Sequence, residues 1–334
     1  MSRNYLLNPD FSVTQRGTSF TSTTTPANSD DTFLLDRWIL LSDGNDIVDV
    51  TQQTSSTHLP ANCISGISLD VETANKKFGI LQVLEQRDSQ DLFNKRVCFS
   101  FKAKKRSGNA TVDKIRAAII TWSSTADTVT SDIVSAWGTE GTNPTLVSNW
   151  TYESVPVDLV LTNSFQRFLF SAEIDTASMA NVAVFIWCDN SDGTVGDFID
   201  ISETQLELGH FPTRFERRPP ALEIRACKRY YERITHDGNI PVVAAGWARL
   251  TTDAAGVWAF SVEKRVTPTL SKSNDAHIDV MSANTTFTSS AIAFILACKT
   301  SVVITATTSG LTAGQGIAQR LNTSGAFIDA SAEL

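Results

Sequence analysis

The stretch ISETQLELGHFPTRFERRPPALEIRACKRYYERI, which runs from Ile201 to Ile234, decides the fold because two different periodicities follow each other within it. Its first part alternates, and Leu206 and Leu208 fall on one side, which predicts a half-buried closing strand. Glycine and proline residues then interrupt the chain as far as Pro219–Pro220 and exclude regular structure there. The stretch therefore predicts a strand, a break and a second element.

A short amphipathic helix is predicted after Pro220, because the next apolar residues are spaced three, four and three positions apart. These residues are Ile224, Cys227, Tyr231 and Ile234. A helix of about thirteen residues is marginal alone in water, so its apolar stripe must be covered. Two interpretations stay open. The stripe packs on its own β-domain, or it forms a short coiled-coil-like neck between identical subunits, since the same spacing describes an a/d seam.

The same stretch resembles the junction found in many tailed-phage virion proteins, especially tail-fibre and appendage proteins. The matching residues are QLELG-x-x-x-T-x-FE-RR from Gln205 and C-x-RYY-x-R from Cys227. The opening NPDFSVTQRG (Asn8–Gly17), the tetrapeptide LDRW (Leu35–Trp38) and the chain end FIDASAEL (Phe327–Leu334) are similar to the same group. In that group, the junction separates an N-terminal jelly-roll-like domain from a smaller C-terminal β-domain.

The resemblance implies a non-enzymatic structural component of a tailed-bacteriophage virion, with a tail fibre or exposed appendage for host attachment as the preferred role. The alternative is a head decoration or capsid fibre protein bound to the major capsid protein, since both roles need rigid β-modules. The implied partners are two further copies in a homotrimer, other virion proteins of the tail or capsid, and a glycan of the host surface. The implied localisation is the virion, assembled in the host cytoplasm.

The N-terminal domain also looks similar to carbohydrate-binding modules, which gives a further alternative function. The opening of those modules usually carries a Phe-Glu pair involved in a structural calcium site. Here the pair is Phe11-Ser12, so no such site is predicted.

The whole chain indicates an all-β protein, since its Ser-, Thr-, Val-, Ile- and Phe-rich texture favours strands. Many short strands with turn residues between them indicate an antiparallel sandwich of jelly-roll type. The clearest predicted strands are Phe33–Leu41, Val97–Lys105, Ile115–Trp122 and Val182–Asp189. The predicted organisation is an N-terminal jelly-roll-like β-sandwich with an extended N-terminal segment over 1–218, a linker and neck helix over 219–236, and a smaller C-terminal β-sandwich domain over 237–334.

Composition excludes several classes of function. A net charge of −8 argues against a nucleic-acid-binding protein, and the basic residues between Arg214 and Arg233 alternate with glutamates. No apolar run approaches the roughly 18 residues that a membrane span needs, so no membrane insertion is expected. No signal peptide is apparent. Five dispersed cysteines favour reduced thiols over a disulfide framework.

No catalytic, metal or cofactor site is predicted. The four histidines are isolated in sequence and none has a second His or Cys at metal-ligand spacing. The glycine-rich segment from Gly310 to Gly316 lacks the Lys-Ser/Thr pair of a phosphate-binding loop, and no GxSxG elbow is present. Aspartates gather between Asp189 and Asp200, but acids near a turn are normally solvated. Carboxylate pairs that meet only in space stay open.

Aromatic residues in the long segment from Ser124 to Ser154 are the candidate ligand-binding side chains. Trp137 and Trp150 lie in polar surroundings, with Tyr152 close by. Exposed aromatic rings stack on sugar rings, so the three residues are candidate glycan contacts. The alternative is that the long loop folds down and buries them as a small core of its own.

Overall fold

The computed structural model of the chain describes residues 4–106, 108 and 111–334. Strands hold 42% of the chain and helices 7%, which confirms the predicted all-β class. The chain divides into two compact units. Unit 1 holds the described residues up to Glu223 together with Leu334, and unit 2 holds Ile224–Glu333. The division therefore falls inside the segment 219–236 that the sequence analysis assigns to a linker and neck.

Unit 1 is a β-sandwich built from antiparallel strands. Before Pro220, its described residues also form one short α-helix, α1 (Gln86–Ser89), and the 3-10 helices Ser56–His58 and Gln90–Leu92. Its strands in chain order are β1 (Ser19–Phe20), β2 (Thr32–Phe33), β3 (Ile39–Ser42), β4 (Val48–Gln53), β5 (Gly66–Val71), β6 (Phe78–Val83), β7 (Arg96–Lys105), β8 (Lys114–Trp122), β9 (Val134–Ala136), β10 (Thr145–Leu146), β11 (Trp150–Tyr152), β12 (Leu159–Val160), β13 (Gln166–Glu173), β14 (Asn181–Cys188) and β15 (Phe198–Leu208). Sheet A has the order β1-β4-β5-β15-β7-β13, and sheet B has the order β11-β8-β14-β6-β3-β2.

The main core of unit 1 lies between the inner faces of sheets A and B. Alternation on β7 turns Phe99 and Phe101 inward, and alternation on β5 does the same for Ile67 and Leu69. Sheet B contributes residues such as Ile119 from β8. The other side of sheet A is consequently free to carry polar residues.

Sheet B buries both of its faces. Its outer face carries Phe185 and Trp187 of β14 and Ile120 of β8, which form a second core cluster. The segment over residues 123–149 packs on this face and supplies Ile133, and Trp150 joins the same cluster from the edge strand β11. The continuous apolar runs of β8 and β14 are explained by this arrangement, because strands covered on both sides need no polar positions.

Unit 2 is a smaller β-sandwich that begins within the second helix, α2 (Pro220–Lys228). Its strands are β16 (Tyr231–Thr235), β17 (Val242–Leu250), β18 (Asp253–Ala259), β19 (Thr269–Lys272), β20 (Ile278–Ser282), β21 (Thr285–Thr288), β22 (Ala291–Ile295), β23 (Ser301–Thr307), β24 (Gly316–Leu321) and β25 (Phe327–Ser331). Sheet C has the order β16-β25-β19, and sheet D has the order β21-β20-β24-β17-β18-β23-β22. Their shared core includes Trp258, Ile304 and Ile328.

The predicted neck helix is wrong in its second half. Helix α2 ends at Lys228, and Tyr231 and Ile234 lie on strand β16, where they pair with Ser331 and Ile328 of β25. The four residues therefore do not form one helical stripe. Tyr231 is 3% exposed and Ile234 packs on the core of unit 2. Strand pairing overrides the helical spacing here, because tyrosine, isoleucine and threonine all favour strands.

The two remaining positions of the predicted seam differ from each other. Cys227 is 1% exposed, whereas Ile224 is 37% exposed. Ile224 is the first residue of unit 2, and the preceding Glu223 accepts a hydrogen bond from the backbone of Asn8 in unit 1. Among the described residues, neither α-helix has the length and apolar content that crossing a lipid bilayer requires.

Candidate functional site

The outward side of sheet A, which we call the polar face, is lined by hydrophilic side chains on every central strand. Its members are Ser68 and Asp70 on β5, Asp200, Ser202, Gln205 and Glu207 on β15, Ser100, Lys102 and Lys104 on β7, and Arg167 on β13. Ser100, Ser202 and Gln205 have no exposed surface, so these polar groups are covered by other parts of unit 1. Buried polar groups need hydrogen-bond partners, and those partners fix the geometry of the face.

A β-bulge on β15 reshapes the middle of the polar face. Ser202 pairs with Lys102 and Gln205 pairs with Ser100, so two residues of β15 oppose one residue of β7. Glu203 in the bulge has a φ of 53°, in the left-handed region. Bulges re-aim side chains, and here the Glu203 carboxylate reaches the Lys102 ammonium at 2.7 Å.

The segment that follows β15 is fastened back onto the polar face. Both Thr213 donors, its backbone N–H and its hydroxyl, reach the Glu207 carboxylate at 2.7 Å. The backbone N–H of Glu216 donates to Gln205 Oε1 at 2.8 Å, and Gln205 Nε2 donates to Glu207 Oε1 at 2.6 Å. The alternating glutamine and glutamate of the QLEL sequence thus hold the TRFE segment in place.

This arrangement leaves a cleft of about 440 Å³ between the bulge, strands β7 and β13 and the fastened segment. Its lining residues are Ala61, Asn62, Lys102, Arg167, Glu203, Arg214, Phe215 and Arg217. The volume lies within the range of about 300–1,000 Å³ that small-molecule sites occupy. The lining combines cations, one amide and one aromatic ring, which suits a polar ligand with an apolar face. We refer to this site as the cleft.

Contacts hold several of the cleft side chains in position. Arg167 Nη2 donates to Ser100 Oγ at 3.1 Å and to the backbone oxygen of Thr213 at 2.7 Å. Arg217 Nε lies 2.9 Å from Oδ2 of Asp10, a buried residue that is 2% exposed. The cleft is therefore largely organised before any ligand arrives.

The polar face has a second buried network around Asp200, which is 1% exposed. Arg106 binds the carboxylate through Nε at 3.1 Å and Nη2 at 2.9 Å, and its guanidinium stacks 3.8 Å from the Phe198 ring centroid. The Ser68 hydroxyl donates to Asp200. His58 Nδ1 lies 3.6 Å from Asp200 Oδ2, and burial lowers the pKa of this histidine. Ser68 is bonded to the carboxylate rather than to the imidazole, so this is not a serine–histidine nucleophile.

Two carboxylates face each other at one edge of the polar face. Asp49 of β4 and Asp70 of β5 are directly paired in register. Burial, together with the charge of Glu72 nearby, raises the pKa of each to about 6. Asn28 Nδ2 donates to Asp49 Oδ1 at 2.8 Å. No group of three or more His, Cys, Asp or Glu side chains in the described part of the chain is arranged to hold a metal ion.

The aromatic candidates are placed away from the cleft, on the outer face of sheet B. Trp150 is 6% exposed and its ring centroid lies 5.5 Å from that of Trp122. Tyr152 donates its hydroxyl to the Pro144 carbonyl at 2.9 Å, and burial raises its pKa. Trp137 is half-buried, with its centroid 6.1 Å from that of Phe185.

Burial corrects the interpretation of Trp150 as a glycan contact, since its ring faces are covered by protein. For Trp150 the structure follows the other interpretation, in which the long loop folds down over its aromatic residues. Trp137 and Tyr152 are half-buried and stay candidate glycan contacts. The cleft was not predicted from the sequence, because its residues come from five separate parts of the chain. A local signal existed in the TRFERR run, where Arg214, Phe215 and Arg217 follow one another.

No protein-family model and no curated protein matches this chain. Solved structures give matches of low identity. One is an enzymatically active domain of tailspike protein 4 from bacteriophage CBA120, at 13% identity and a TM-score of 0.36, over 62% of this chain and 22% of that chain. A second is TmCBM61 in complex with β-1,4-galactotriose, at 15% identity and a TM-score of 0.35, over 62% of this chain and 100% of that one.

A third match is the CBM22-1 xylan-binding domain of Xyn10C from Paenibacillus barcinonensis, at 11% identity and a TM-score of 0.35, over 55% of this chain and 94% of that chain. The matched part of this chain spans less than a quarter of the tailspike chain. Similarity at this level carries no argument about ligand or role. A phage tailspike domain and several carbohydrate-binding modules are thus among the solved structures to which this β-sandwich protein is similar.

Proposed function

We propose that the chain is a non-enzymatic structural component of a tailed-bacteriophage virion, a tail fibre or exposed appendage that attaches to a host-surface glycan through the cleft. The observation that carries the glycan part of this proposal is the pre-organised cleft on the polar face of unit 1. The virion part is supported by the resemblance of the QLELG…FERR…RYY junction and of both chain ends to phage appendage proteins. The chain is localised in the virion, after assembly in the host cytoplasm.

The side chains of the cleft have the chemistry that saccharide recognition needs. Sugars present hydroxyl groups around the ring edge and C–H groups on the ring face. Asn62 supplies an amide, Arg167 and Arg217 supply N–H donors held by other contacts, and Phe215 supplies an apolar ring. A binding role fits these groups without any reacting atom.

Binding without catalysis is supported by the carboxylate content of the cleft. Glycoside hydrolysis commonly uses two carboxyl groups on either side of the scissile bond. Glu203 is the one carboxylate among the described lining residues, and it is paired with Lys102 at 2.7 Å. The cleft is therefore better suited to holding a saccharide than to cleaving it.

We place the homotrimer contact on the outward face of sheet D in unit 2. Four neighbouring strands, β17, β18, β23 and β22, present apolar side chains there. They are Ala245, Trp247, Val257, Val303 and Ile295. Trp247 is 53% exposed and Val257 is 45% exposed. Interfaces between identical subunits are more apolar than the average protein surface, so further copies of the chain are the partners that this face suits.

The glycan assignment is tested with the purified full-length chain and a panel of immobilised bacterial surface polysaccharides. We expect saturable binding to at least one polysaccharide, and a loss of about tenfold in affinity for Phe215→Ala, because the apolar contact with the sugar ring is removed. Phe93→Ala is the matched control, since Phe93 is an exposed phenylalanine, 40% accessible, outside the cleft.

Equal binding by wild type and Phe215→Ala would move the site elsewhere on the molecule. An absence of binding to every polysaccharide, combined with binding to purified phage capsids, would favour the head decoration or capsid fibre role. The trimer is tested by light scattering, where we expect about three times the chain mass of 36.4 kDa.

A further inference from the structure

The cleft carries an unbalanced positive charge, although the chain as a whole has a net charge of −8. Four cationic side chains line it, namely Lys102, Arg167, Arg214 and Arg217. Two of them are neutralised by neighbouring carboxylates. Lys102 is paired with Glu203 at 2.7 Å, and Arg217 is paired with Asp10 at 2.9 Å.

The other two cations have no carboxylate partner in the described part of the chain. The Arg167 guanidinium donates to a hydroxyl and to a backbone carbonyl, which are both neutral. The Arg214 guanidinium makes no hydrogen bond and no ion pair with any described residue, and Arg214 is exposed as a residue. Two guanidinium charges therefore face the same cleft without compensation.

A guanidinium group presents its N–H donors in a planar fork that matches the two oxygens of a carboxylate or the oxygens of a phosphate or sulfate. Arg167 is already oriented by two hydrogen bonds, so little further side-chain ordering is needed when a ligand binds. Arg214 can approach the ligand from the fastened segment, next to the ring of Phe215. The cleft is thus matched to a sugar that carries an oxyanion.

We propose that the cleft selects an acidic saccharide, whose carboxylate, phosphate or sulfate group is bound by Arg167 and Arg214 while its ring packs on Phe215. This inference rests on the proposed glycan-binding function and specifies the class of glycan. Neutral saccharides lack the group that the two arginines require, so they bind weakly.

The test measures the binding of the full-length chain to matched pairs of probes by isothermal titration calorimetry. Oligogalacturonate is compared with its methyl ester, which keeps the sugar ring and removes the charge. Dextran sulfate and phosphorylated dextran are each compared with neutral dextran, so that the three oxyanions are distinguished. We expect at least one acidic probe to bind about tenfold or more tightly than its neutral counterpart, and less tightly as salt is raised.

Substitutions identify the residues responsible. Arg167→Gln and Arg214→Gln should each weaken binding of the acidic probe by about tenfold, which is the scale of one hydrogen bond to a charged group. Arg214→Lys, which keeps the charge and loses the fork, should fall between wild type and Arg214→Gln. Arg87→Gln is the control, because Arg87 is 64% exposed and lies outside the cleft. Thermal unfolding of each variant verifies that it is folded.

Three results would overturn the inference. If neutral probes bind as tightly as acidic ones, the cleft binds glycans without selecting charge, and the proposed function stands. If binding of the acidic probe is unchanged in both glutamine variants, the oxyanion is held elsewhere. If no saccharide of either kind binds, the glycan-binding function itself fails together with the inference.

Discussion

Lys264 and Glu232 form an ion pair in the interior of unit 2, with Nζ 2.6 Å from Oε2 and side-chain exposures of 0% and 5%. Lys264 also donates to the backbone oxygen of Lys228, the last residue of α2. Burial alone would raise the pKa of Glu232, but hydrogen bonds from Lys264 and Ser261 outweigh it and lower the pKa. The pair therefore ties the end of the helix to strand β16.

Removing one partner of this pair should destabilise unit 2. Lys264→Met leaves the buried Glu232 carboxylate with only the partly exposed Lys228 ammonium, 3.6 Å from Oε1, as counter-ion. We therefore expect the free energy of unfolding to fall by about 3 kcal/mol. The measurement is urea denaturation followed by circular dichroism. The double variant Lys264→Met/Glu232→Leu removes both charges and should recover much of the loss. Equal losses in the single and double variants would contradict a coupled pair.

The facing carboxylates of Asp49 and Asp70 predict a pH dependence of stability. Their pKa values of about 6 in the folded protein exceed the ordinary aspartate value of 3.8, so the folded state binds more protons between these values. The free energy of unfolding should therefore decrease as the pH rises from about 4 to above 6.

Asp70→Asn should remove part of the destabilisation that ionisation of the two carboxyl groups causes at high pH. Because both side chains are partly solvated, we expect a gain of about 1 kcal/mol at pH 8 and almost none at pH 4. Urea denaturation at the two pH values gives the comparison. Asp192→Asn, at an exposed turn position, is the control for loss of a negative charge. A gain of the same size at both pH values would contradict the prediction.

Trp150 is expected to matter for stability rather than for glycan binding. Trp150→Ala leaves a cavity between the long loop and sheet B, so the free energy of unfolding of unit 1 should fall by about 3–5 kcal/mol. Trp137→Ala should cost less, because Trp137 is only half-buried. Thermal unfolding checks both values. Loss of saccharide affinity in a folded Trp150→Ala variant would restore this residue as a ligand contact.

Substitutions distinguish between the two candidate surfaces for the proposed trimer contact, the predicted neck and the apolar face of sheet D. Val257→Asp places a charge in the middle of that face and should reduce the solution mass from trimer to monomer. Ile224→Asp, in the former neck position, should leave the mass unchanged. Light scattering measures both variants, and circular dichroism verifies the fold. Dissociation by Ile224→Asp with an unaffected Val257→Asp would reinstate the helix as the contact.

The sequence predicted best those strands that are buried either on one face or on both faces along their whole length. Strands β7, β8 and β14 lie within one residue of their predicted bounds, since period-two alternation or continuous apolar runs identify them. The predicted strand Phe33–Leu41 is instead two strands, because Arg37 adopts a φ of 70° and turns inward to donate to the Val83 carbonyl at 2.6 Å. The pattern of apolar and polar residues does not predict that a charged residue such as Arg37 is buried and hydrogen-bonded.

The extent of the neck helix was predicted wrongly and the cleft was not predicted at all, for different reasons. The spacing from Ile224 to Ile234 fits a helix, but a partner strand about a hundred residues away decides the conformation of Tyr231. The cleft depends on a bulge at Glu203 and on hydrogen bonds between distant side chains, which no local pattern reveals. In the sequence, Arg167 and Arg214 look like ordinary surface residues. Only the fold shows that they line the same cleft.

Because sheet B is covered on both faces and sheet A carries the cleft, the two sheets differ in which substitutions they tolerate. At the buried positions of the segment over 123–154, such as Ile133 and Trp150, a substitution changes a core and costs stability. The segment fastened to sheet A is held mainly through Gln205 and Glu207 at Thr213 and Glu216, and Arg214 between these two positions is exposed. If the cleft binds a glycan as proposed, a substitution of Arg214 therefore changes recognition at the smallest cost in stability.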